Sequence, residues 1–299
     1  GDVEVIGRLV EDEDGGAGDQ RAHEQALPLA ATREVFEQAV GLQVQPLQGS
    51  VGGMEWSPDG KTIVFTFRKK DEEAIERESD ESKKELGVVV RHIDRLHYKQ
   101  NGEGFLPKER WQIWTVDVRS GRTSQLSREP DHDSYDPTWS PDGQRILFVS
   151  NRNDDPDQNT EAVDLWTVAE TGGRARKVET PFGEKGAPRY SPNGRHIAYY
   201  GRPGGVGRWV STRLYAVPAA GSLEAHDLTG SYDIHPATGT IGDLGEQGIR
   251  SPLWDVDGER IYFQIARHGL TTLVSVDRTN QNLETVIDTI DSVGDFCFD

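Results

Sequence analysis

One five-residue phrase recurs along the chain and constrains its fold more than any other feature. It is WSPDG at 56–60 and again at 139–143, YSPNG at 190–194 and, in a weaker form, WDVDG at 254–258. In Ser-Pro-Asp-Gly, proline sets the second position of a type I turn, and glycine adopts the left-handed conformation that lets the chain reverse. Because this combination is a common hairpin connector, each copy predicts the end of one strand and the start of the next.

The repeated phrase is architectural, because a catalytic motif is needed once and this one is repeated. Its aromatic, proline, acidic or amide, and glycine positions are therefore interpreted as structural repeat residues. They are Trp56, Pro58, Asp59, Gly60, Trp139, Pro141, Asp142, Gly143, Tyr190, Pro192, Asn193, Gly194, Trp254, Asp257 and Gly258.

A strand pattern follows every copy of the phrase. The segments KTIVFTF, QRILFVS, RHIAYY and ERIYFQI are short, rich in β-branched and aromatic residues, and apolar on both faces, which is typical of strands buried between stacked sheets. A third strand and a more polar fourth strand complete each unit. Four-stranded units that repeat at roughly 40–50 residues indicate propeller blades. The predicted fold is all-β, a β-propeller of four-stranded antiparallel blades, with about four complete blades and partial ones in this chain.

These units divide the chain into an N-terminal segment, 1–50, and a propeller, 51–299. The N-terminal segment fits either strands of a partial blade or, at 31–40, a short amphipathic helix. The last residues resemble the start of a further blade, so we expect the natural protein to continue; the alternative is that this strand pairs with the N-terminal segment. The predicted blades are 51–128 with an insertion at 69–110, 136–181, 187–230, 251–288, and a truncated blade that begins at 293–299.

Charge and cysteine content exclude several classes of function. The formal net charge of −18 argues against nucleic acid and against an anionic membrane surface as partners, since both attract basic patches. No apolar run is long enough to span a bilayer. Cys297 is the only cysteine, so no internal disulfide can form, and a reducing, cytoplasmic location is expected.

At this point the residues resemble a known family. Repeated WSPDG followed by an apolar strand is similar to the propellers of prolyl-oligopeptidase-family serine peptidases and of Tol-Pal periplasmic proteins. The stretch VVVRHIDRLHYKQNGEGFLPKERWQIWTVDVRSGRTSQLS at 88–127 resembles the acylaminoacyl-peptidase branch, as does the Asp-Leu-Trp start of a third strand within 148–168. The residues that match in the first stretch are Arg91, Ile93, Leu96, Tyr98, Gly102 and Gly104.

The resemblance implies a substrate-gating propeller that caps the active site of a peptidase acting on short peptides. In that family, a C-terminal α/β-hydrolase domain carries the catalytic Ser, Asp and His, with the serine in a Gly-x-Ser-x-Gly elbow. No Gly-x-Ser-x-Gly occurs in the 299 residues, so we assign no catalytic residue and expect the chain alone to be inactive. The implied partners are the hydrolase domain of the same polypeptide and peptide substrates. The alternative is a non-enzymatic, TolB-like propeller that serves as a protein-interaction scaffold.

Metal and cofactor sites are not expected. The histidines and the single cysteine lack metal-ligand spacing, and His92 and His97 are interpreted as a packed or surface pair. Asp154, Asp155 and Asp157 lie in a segment without the central glycine of a calcium-binding loop, which favours a solvated loop between strands.

The charged segment 68–87 predicts an exposed, salt-bridged helix or a mobile arm. Its adjacent acids Glu72 and Glu73 have a second interpretation, by similarity to the dipeptidyl-peptidase branch, where a Glu-Glu pair on a propeller insertion holds the free amine of the substrate. The flanking residues differ from that branch, so peptide binding by this pair is the secondary hypothesis. The Gly-rich stretches 201–209 and 231–248 are expected to be loops.

Overall fold

The computed structural model of the protein describes residues 3–4, 48–85, 92–101, 104–207, 209–236, 250–279, 281–287, 293 and 296–298. Its strands, in chain order, are β1 (Val3–Glu4), β2 (Gly49–Trp56), β3 (Thr62–Lys69), β4 (Lys99–Gln100), β5 (Gly104–Phe105), β6 (Gln112–Asp117), β7 (Thr123–Gln125), β8 (Ser134–Trp139), β9 (Arg145–Ser150), β10 (Asp164–Ala169), β11 (Arg176–Val178), β12 (Gly183–Tyr190), β13 (His196–Pro203), β14 (Arg213–Pro218), β15 (His226–Asp227), β16 (Leu253–Trp254), β17 (Arg260–Arg267), β18 (Leu270–Asp277), β19 (Leu283–Ile287) and β20 (Cys297–Phe298). Two short helices, α1 (Glu72–Ser79) and α2 (Glu81–Glu85), follow β3.

Four sheets of four strands each make up most of the described chain. Sheet 1 has the order β2-β3-β6-β7, sheet 2 the order β11-β10-β9-β8, sheet 3 the order β12-β13-β14-β15, and sheet 4 the order β16-β17-β18-β19. The strand pairs with a defined register are antiparallel. The prediction of four-stranded antiparallel units is therefore confirmed. Two small ladders join β4 to β5 and β1 to β20.

The repeated phrase forms the hairpin turn between the first and second strands of each sheet. Its glycine is left-handed in all four copies, with φ values of 68°, 70°, 68° and 72° for Gly60, Gly143, Gly194 and Gly258. The glycine amide closes the turn, for example from Gly60 to the Ser57 carbonyl at 2.9 Å. The turn predicted from Pro and Gly alone is confirmed.

Side chains of the phrase reinforce this turn from within. The hydroxyl of Ser57 donates to Asp59 at 2.7 Å and accepts from the Thr62 amide at 2.9 Å. In the weaker fourth copy, Asp255 replaces the serine, and its carboxylate accepts from the amides of Glu259 and Arg260 at 2.9 and 3.1 Å. Serine and aspartate are thus interchangeable here, because both place an acceptor oxygen inside the turn.

The first strands of sheets 1, 2 and 3 each contain a β-bulge. The register shifts lie between Val51 and Met54, between Tyr135 and Thr138, and between Gly186 and Arg189. In sheets 2 and 3 the residue before a proline is left-handed although it is not glycine: Asp136 has φ 49° and Ala187 has φ 48°. Such a conformation costs about 1–2 kcal/mol, so the packing of these strands must hold it.

The chain divides into two compact units. The first unit consists of Gln25–Trp139 and Gly143–Arg176, and the second unit of Gly1–Glu24, Ser140–Asp142 and Lys177–Asp299. Each unit has a core formed by two neighbouring sheets. The core of the first unit contains Val64, Ile113, Leu126, Trp139, Ile146, Phe148 and Val168. The core of the second unit contains Ala187, Ala198, Tyr200, Leu214, Ala216, Leu228, Trp254, Ile261, Phe263, Ile265, Val274 and Val276.

The remaining sequence predictions concern the chain ends and the long loops, and only some of these residues are described. Within the segment predicted to start a truncated blade, β20 pairs with β1 of the N-terminal segment. The possible helix at 31–40, the loop residues 237–248, and Arg91 and Gly102 of the family match lie outside the described residues. Among the described helices, none is long and apolar enough to cross a membrane.

Candidate functional site

Two of the three repeat tryptophans, Trp139 and Trp254, donate a hydrogen bond to the preceding sheet of their own unit. In the first unit, the Trp139 indole N–H donates to the Glu55 carbonyl at 3.2 Å. The Glu55 carboxylate in turn accepts from the Thr138 hydroxyl at 3.2 Å and the Trp139 amide at 3.3 Å. In the second unit, the Trp254 indole donates to the Arg189 carbonyl at 3.2 Å. Each acceptor directly precedes the aromatic residue of the previous phrase, so this position links two sheets.

The prolines and the acidic or amide residues of the phrase lie at the surface of the turns. The prolines of the first three copies and the fourth residue of every copy are exposed, which suits a turn and leaves them without a shared pocket. They are Pro58, Asp59, Pro141, Asp142, Pro192, Asn193 and Asp257. Hydrogen bonds from the Lys61 ammonium, the Ser57 hydroxyl and the Lys61 amide lower the pKa of Asp59 to about 2.

Glu72 and Glu73, the adjacent acids of the secondary hypothesis, form the first turn of α1 and are exposed. The Glu73 carboxylate lies 3.9 Å from the Lys108 ammonium. Glu72 has no hydrogen bond or ion pair with another described residue. Glu73 lines a cleft, described below, whereas Glu72 does not. The structure therefore separates the two acids by environment although they are adjacent in sequence.

The charged segment after β3 is helical, as predicted, but it breaks at Asp80 into α1 and α2. The Asp80 carboxylate accepts from the Ser82 hydroxyl at 2.6 Å and from the Ser82 amide at 3.0 Å, which starts the second helix. Ion pairs between Lys70 and Glu78 and between Lys83 and Glu76 stiffen the pair. The segment is thus an exposed, salt-bridged helix pair.

The acidic loop of sheet 2 holds the insertion of sheet 1. Asp157 accepts from the His97 amide at 2.8 Å and from the Arg95 guanidinium at 3.3 and 3.5 Å. Burial acts to raise the pKa of the Asp157 carboxyl, but these donors outweigh it and hold the pKa below its usual value. The loop that the sequence assigned to solvent is therefore a docking point, with Asp157 partly buried and Asp154 exposed.

Between α1 and the segment from His92 to Arg110, the insertion forms a cleft of about 570 Å³. The two ends of the insertion are held to each other, and one of them is also held to Asp133, next to sheet 2. Asp71 accepts from the amides of Lys108 and Glu109 at 3.0 and 3.4 Å, and Asp133 accepts from Arg110 at 3.4 Å. Cavities of this size are typical of small-ligand sites in proteins.

One wall of the cleft is apolar. Tyr98, directly before β4, and Phe105 of β5 have ring centroids 6.1 Å apart, and Ile93, Leu106 and Pro107 also line the cleft. Ile93, Tyr98 and Phe105 are large apolar side chains that remain exposed. An exposed group of this kind, rimmed by charge, marks a ligand or partner site more often than a solvated surface.

The other wall is charged, and most of its charges are paired. Arg95 and Arg110 bind Asp157 and Asp133, and Lys108 lies beside Glu73. Arg77, near the end of α1, also lines the cleft, is half-buried, and has no hydrogen bond or ion pair with another described residue. The cleft thus combines an apolar wall with one uncommitted guanidinium.

The sequence offered only partial signals for this cleft. Ile93 and Tyr98 belong to the family match, and a cluster of apolar residues inside a charged insertion is itself unusual. The sequence spacing does not predict that Arg77 and Arg95 line one cleft or that Arg95 contacts Asp157, because both depend on how the insertion folds back. His92 and His97, both exposed, do not form a metal group, and within the described ranges no three or more candidate ligands come together.

No protein-family model matches the chain. Over 104 residues, 34% of the chain and 15% of the relative, it is 36% identical to the uncharacterized peptidase YuxL of Bacillus subtilis (strain 168). Over 90 residues, 29% of the chain and 19% of the relative, it is 34% identical to the Tol-Pal system protein TolB of Alcanivorax borkumensis.

A solved structure extends the likeness to most of the chain. The acylaminoacyl peptidase of Pyrococcus horikoshii matches 83% of the chain and 33% of its own length, with a TM-score of 0.56 and 15% identity, which is a likeness of fold. The chain therefore spans about a third or less of the length of these three proteins. The resemblance to peptidases indicated by the repeated phrase and the insertion is confirmed.

Proposed function

We propose that the four sheets are blades of a β-propeller and that this propeller gates substrate access to a serine peptidase that cleaves short peptides. The observation that carries the proposal is the match to peptidase YuxL, the more identical of the two sequence relatives, which covers only 15% of that relative. The fold shared with an acylaminoacyl peptidase agrees with it. Since the 299 residues contain no Gly-x-Ser-x-Gly, the chain contributes gating and not the reaction.

In this proposal the blades are the segments 51–128, 136–181, 187–230 and 251–288. In a propeller the blades surround a central channel. As a cap on the active site, such a propeller would admit short or unstructured peptides and exclude folded proteins by size. Serine attack on the peptide carbonyl takes place in an α/β-hydrolase domain of the same polypeptide. The whole protein acts in the cytoplasm, where Cys297 stays reduced.

The reading frame around codon 299 and the activity of its full product test this function. We expect the frame to continue into a Gly-x-Ser-x-Gly elbow followed by Asp and His. The purified full product should cleave a five-residue peptide and leave the same sequence intact inside a folded carrier protein. A variant with the elbow serine changed to alanine controls for contaminating peptidases. A stop codon soon after Asp299, or equal cleavage of both substrates, would contradict the proposal.

A TolB-like scaffold is the second candidate, favoured by the 34% identity to TolB. It predicts no elbow, no hydrolysis and a stable protein complex instead. Affinity purification of the full product from its native cell, followed by the hydrolysis assay on the same sample, separates the two functions. Recovery of a stoichiometric partner without activity supports the scaffold.

A further inference from the structure

We propose that the insertion cleft is a binding site for a carboxylate that stands next to an apolar or aromatic side chain. This is the chemistry of the C-terminal residue of a peptide and of an N-acylated amino acid. The inference concerns residues of this chain alone and does not depend on the proposed peptidase function.

The carboxylate is assigned to Arg77. Arg77 lines the cleft and is half-buried, and its guanidinium has no acceptor among the described residues, whereas Arg95 and Arg110 are each bound to an aspartate. A guanidinium offers donors in a planar fork that matches both oxygens of a carboxylate. An uncommitted guanidinium at the edge of a cleft is therefore suited to an incoming carboxylate.

The acids of the cleft do not cancel this attraction. Asp71 is engaged by the amides of Lys108 and Glu109, and Glu73 lies beside the Lys108 ammonium. Asp94 and Asp131 also line the cleft, but both are exposed, so solvent and salt screen them more than they screen the half-buried Arg77.

The apolar side chain of the ligand is assigned to the Tyr98–Phe105 wall. The two rings are tilted by 37° and remain partly open to solvent, and the Lys99 ammonium lies 5.7 Å from the Phe105 ring centroid. A third ring or an aliphatic side chain placed on them removes apolar surface from water. Together, the ring pair and Arg77 bind the side chain and the carboxylate of one ligand residue.

A set of four small probes tests each part of this assignment on the purified chain. N-acetylphenylalanine has both the carboxylate and the ring. N-acetylphenylalaninamide lacks the carboxylate, and N-acetylglycine lacks the ring. Phenylalaninamide also lacks the carboxylate and carries a free α-ammonium. We expect N-acetylphenylalanine to bind, with a dissociation constant on the order of a millimolar or tighter. Its amide and N-acetylglycine should each bind about tenfold more weakly, because each loses one contact.

Arg77→Gln and the control Arg119→Gln remove the same charge at different places. Arg119 is exposed in the turn between β6 and β7, outside the cleft. We expect R77Q to weaken N-acetylphenylalanine about tenfold and to abolish the difference between the acid and its amide, whereas R119Q leaves both unchanged. The circular dichroism spectrum and melting temperature of each variant confirm that it is folded.

Several results would overturn the assignment. They are an amide that binds as well as the acid, phenylalaninamide as the tightest probe, equal behaviour of R77Q and R119Q, or no binding of any probe. The peptide Ala-Ala-Phe distinguishes the source of the ligand. Tighter binding of this peptide than of N-acetylphenylalanine identifies a peptide C-terminus, and the reverse identifies an N-acylated amino acid. Ligand-observed NMR and calorimetric titration measure both.

Discussion

Sheets 1 and 2 end their first strands with the same five residues, yet the two tryptophans occupy different environments. Trp139 is 5% exposed, belongs to the core between the two sheets, and donates its indole N–H to Glu55. Trp56 is 48% exposed and has no acceptor among the described residues. The turn chemistry of the phrase is thus local and identical, whereas the role of its aromatic residue depends on its contacts with another sheet.

The largest predicted difference is between alanine variants of the two tryptophans. Trp139→Ala should lower the free energy of unfolding by about 3–5 kcal/mol, because it leaves a cavity in the inter-sheet core. Trp56→Ala should cost about 1 kcal/mol or less, since half of that ring already faces solvent. Urea unfolding followed by circular dichroism measures both. Equal losses in the free energy of unfolding would show that the two tryptophans contribute equally to stability.

Trp139→Phe separates the hydrogen bond from the packing. It keeps an aromatic ring in the core but removes the donor to Glu55. We expect the free energy of unfolding to fall by about 1 kcal/mol from the lost hydrogen bond, with a smaller cavity cost than in Trp139→Ala. The matched Trp56→Phe should be close to neutral.

The connections between the second and third strands provide the next difference between the two sheets. Sheet 1 has the long insertion, and the shorter loop of sheet 2 holds it through Asp157. Asp157→Ala should cost about 1–3 kcal/mol, because it leaves the Arg95 guanidinium without its partner. Faster hydrogen exchange at the His97 amide, with unchanged exchange in β9, is the expected signature. Asp154→Ala, an exposed acid in the same loop, is the control and should change neither.

Glycine variants test the similarity of the two turns, since the same substitution should cost the same stability in both copies of the phrase. Gly60→Ala and Gly143→Ala both place a side chain at a positive φ without a severe steric contact. Each should therefore lose a similar 1–2 kcal/mol or so of stability. Gly53→Ala has open space and no positive φ, so it controls for the loss of chain flexibility. Unequal losses at Gly60 and Gly143 would mean that the turns are not equivalent.

The smallest predicted effect concerns pH. Lys61 follows the first phrase, whereas Gln144 follows the second. Because the Asp59 pKa is about 2 in the folded chain and 3.8 is its ordinary value, the carboxylate contributes stability above pH 4, and this is lost as pH falls toward 2. NMR titration should show this low midpoint, and Lys61→Gln should move it upward. If K61Q leaves the titration midpoint of Asp59 unchanged, the Lys61 ammonium is not the cause of the lowered pKa.

The hairpins could be predicted from the sequence because their causes are local. Pro58 and Gly60 set the turn whatever surrounds them, and the apolar strand beginning after Lys61 is buried as its composition requires. The left-handed Ala187 could not be predicted, since alanine has no preference for that conformation and only the packing of its strand imposes it. The contact between Arg95 and Asp157 was equally hidden, because the two residues are far apart in sequence and the loop around Asp157 has the composition of a solvated turn.

The indole bond has a consequence for how such a chain can grow by gene duplication. In β2 the acceptor that Trp139 uses, the Glu55 carbonyl, lies directly beside Trp56, whose indole N–H is a donor of the same kind. A duplicated copy of sheet 1 would therefore carry both the donor and the acceptor of this hydrogen bond. It could attach to the sheet before it and accept the sheet after it without any new substitution.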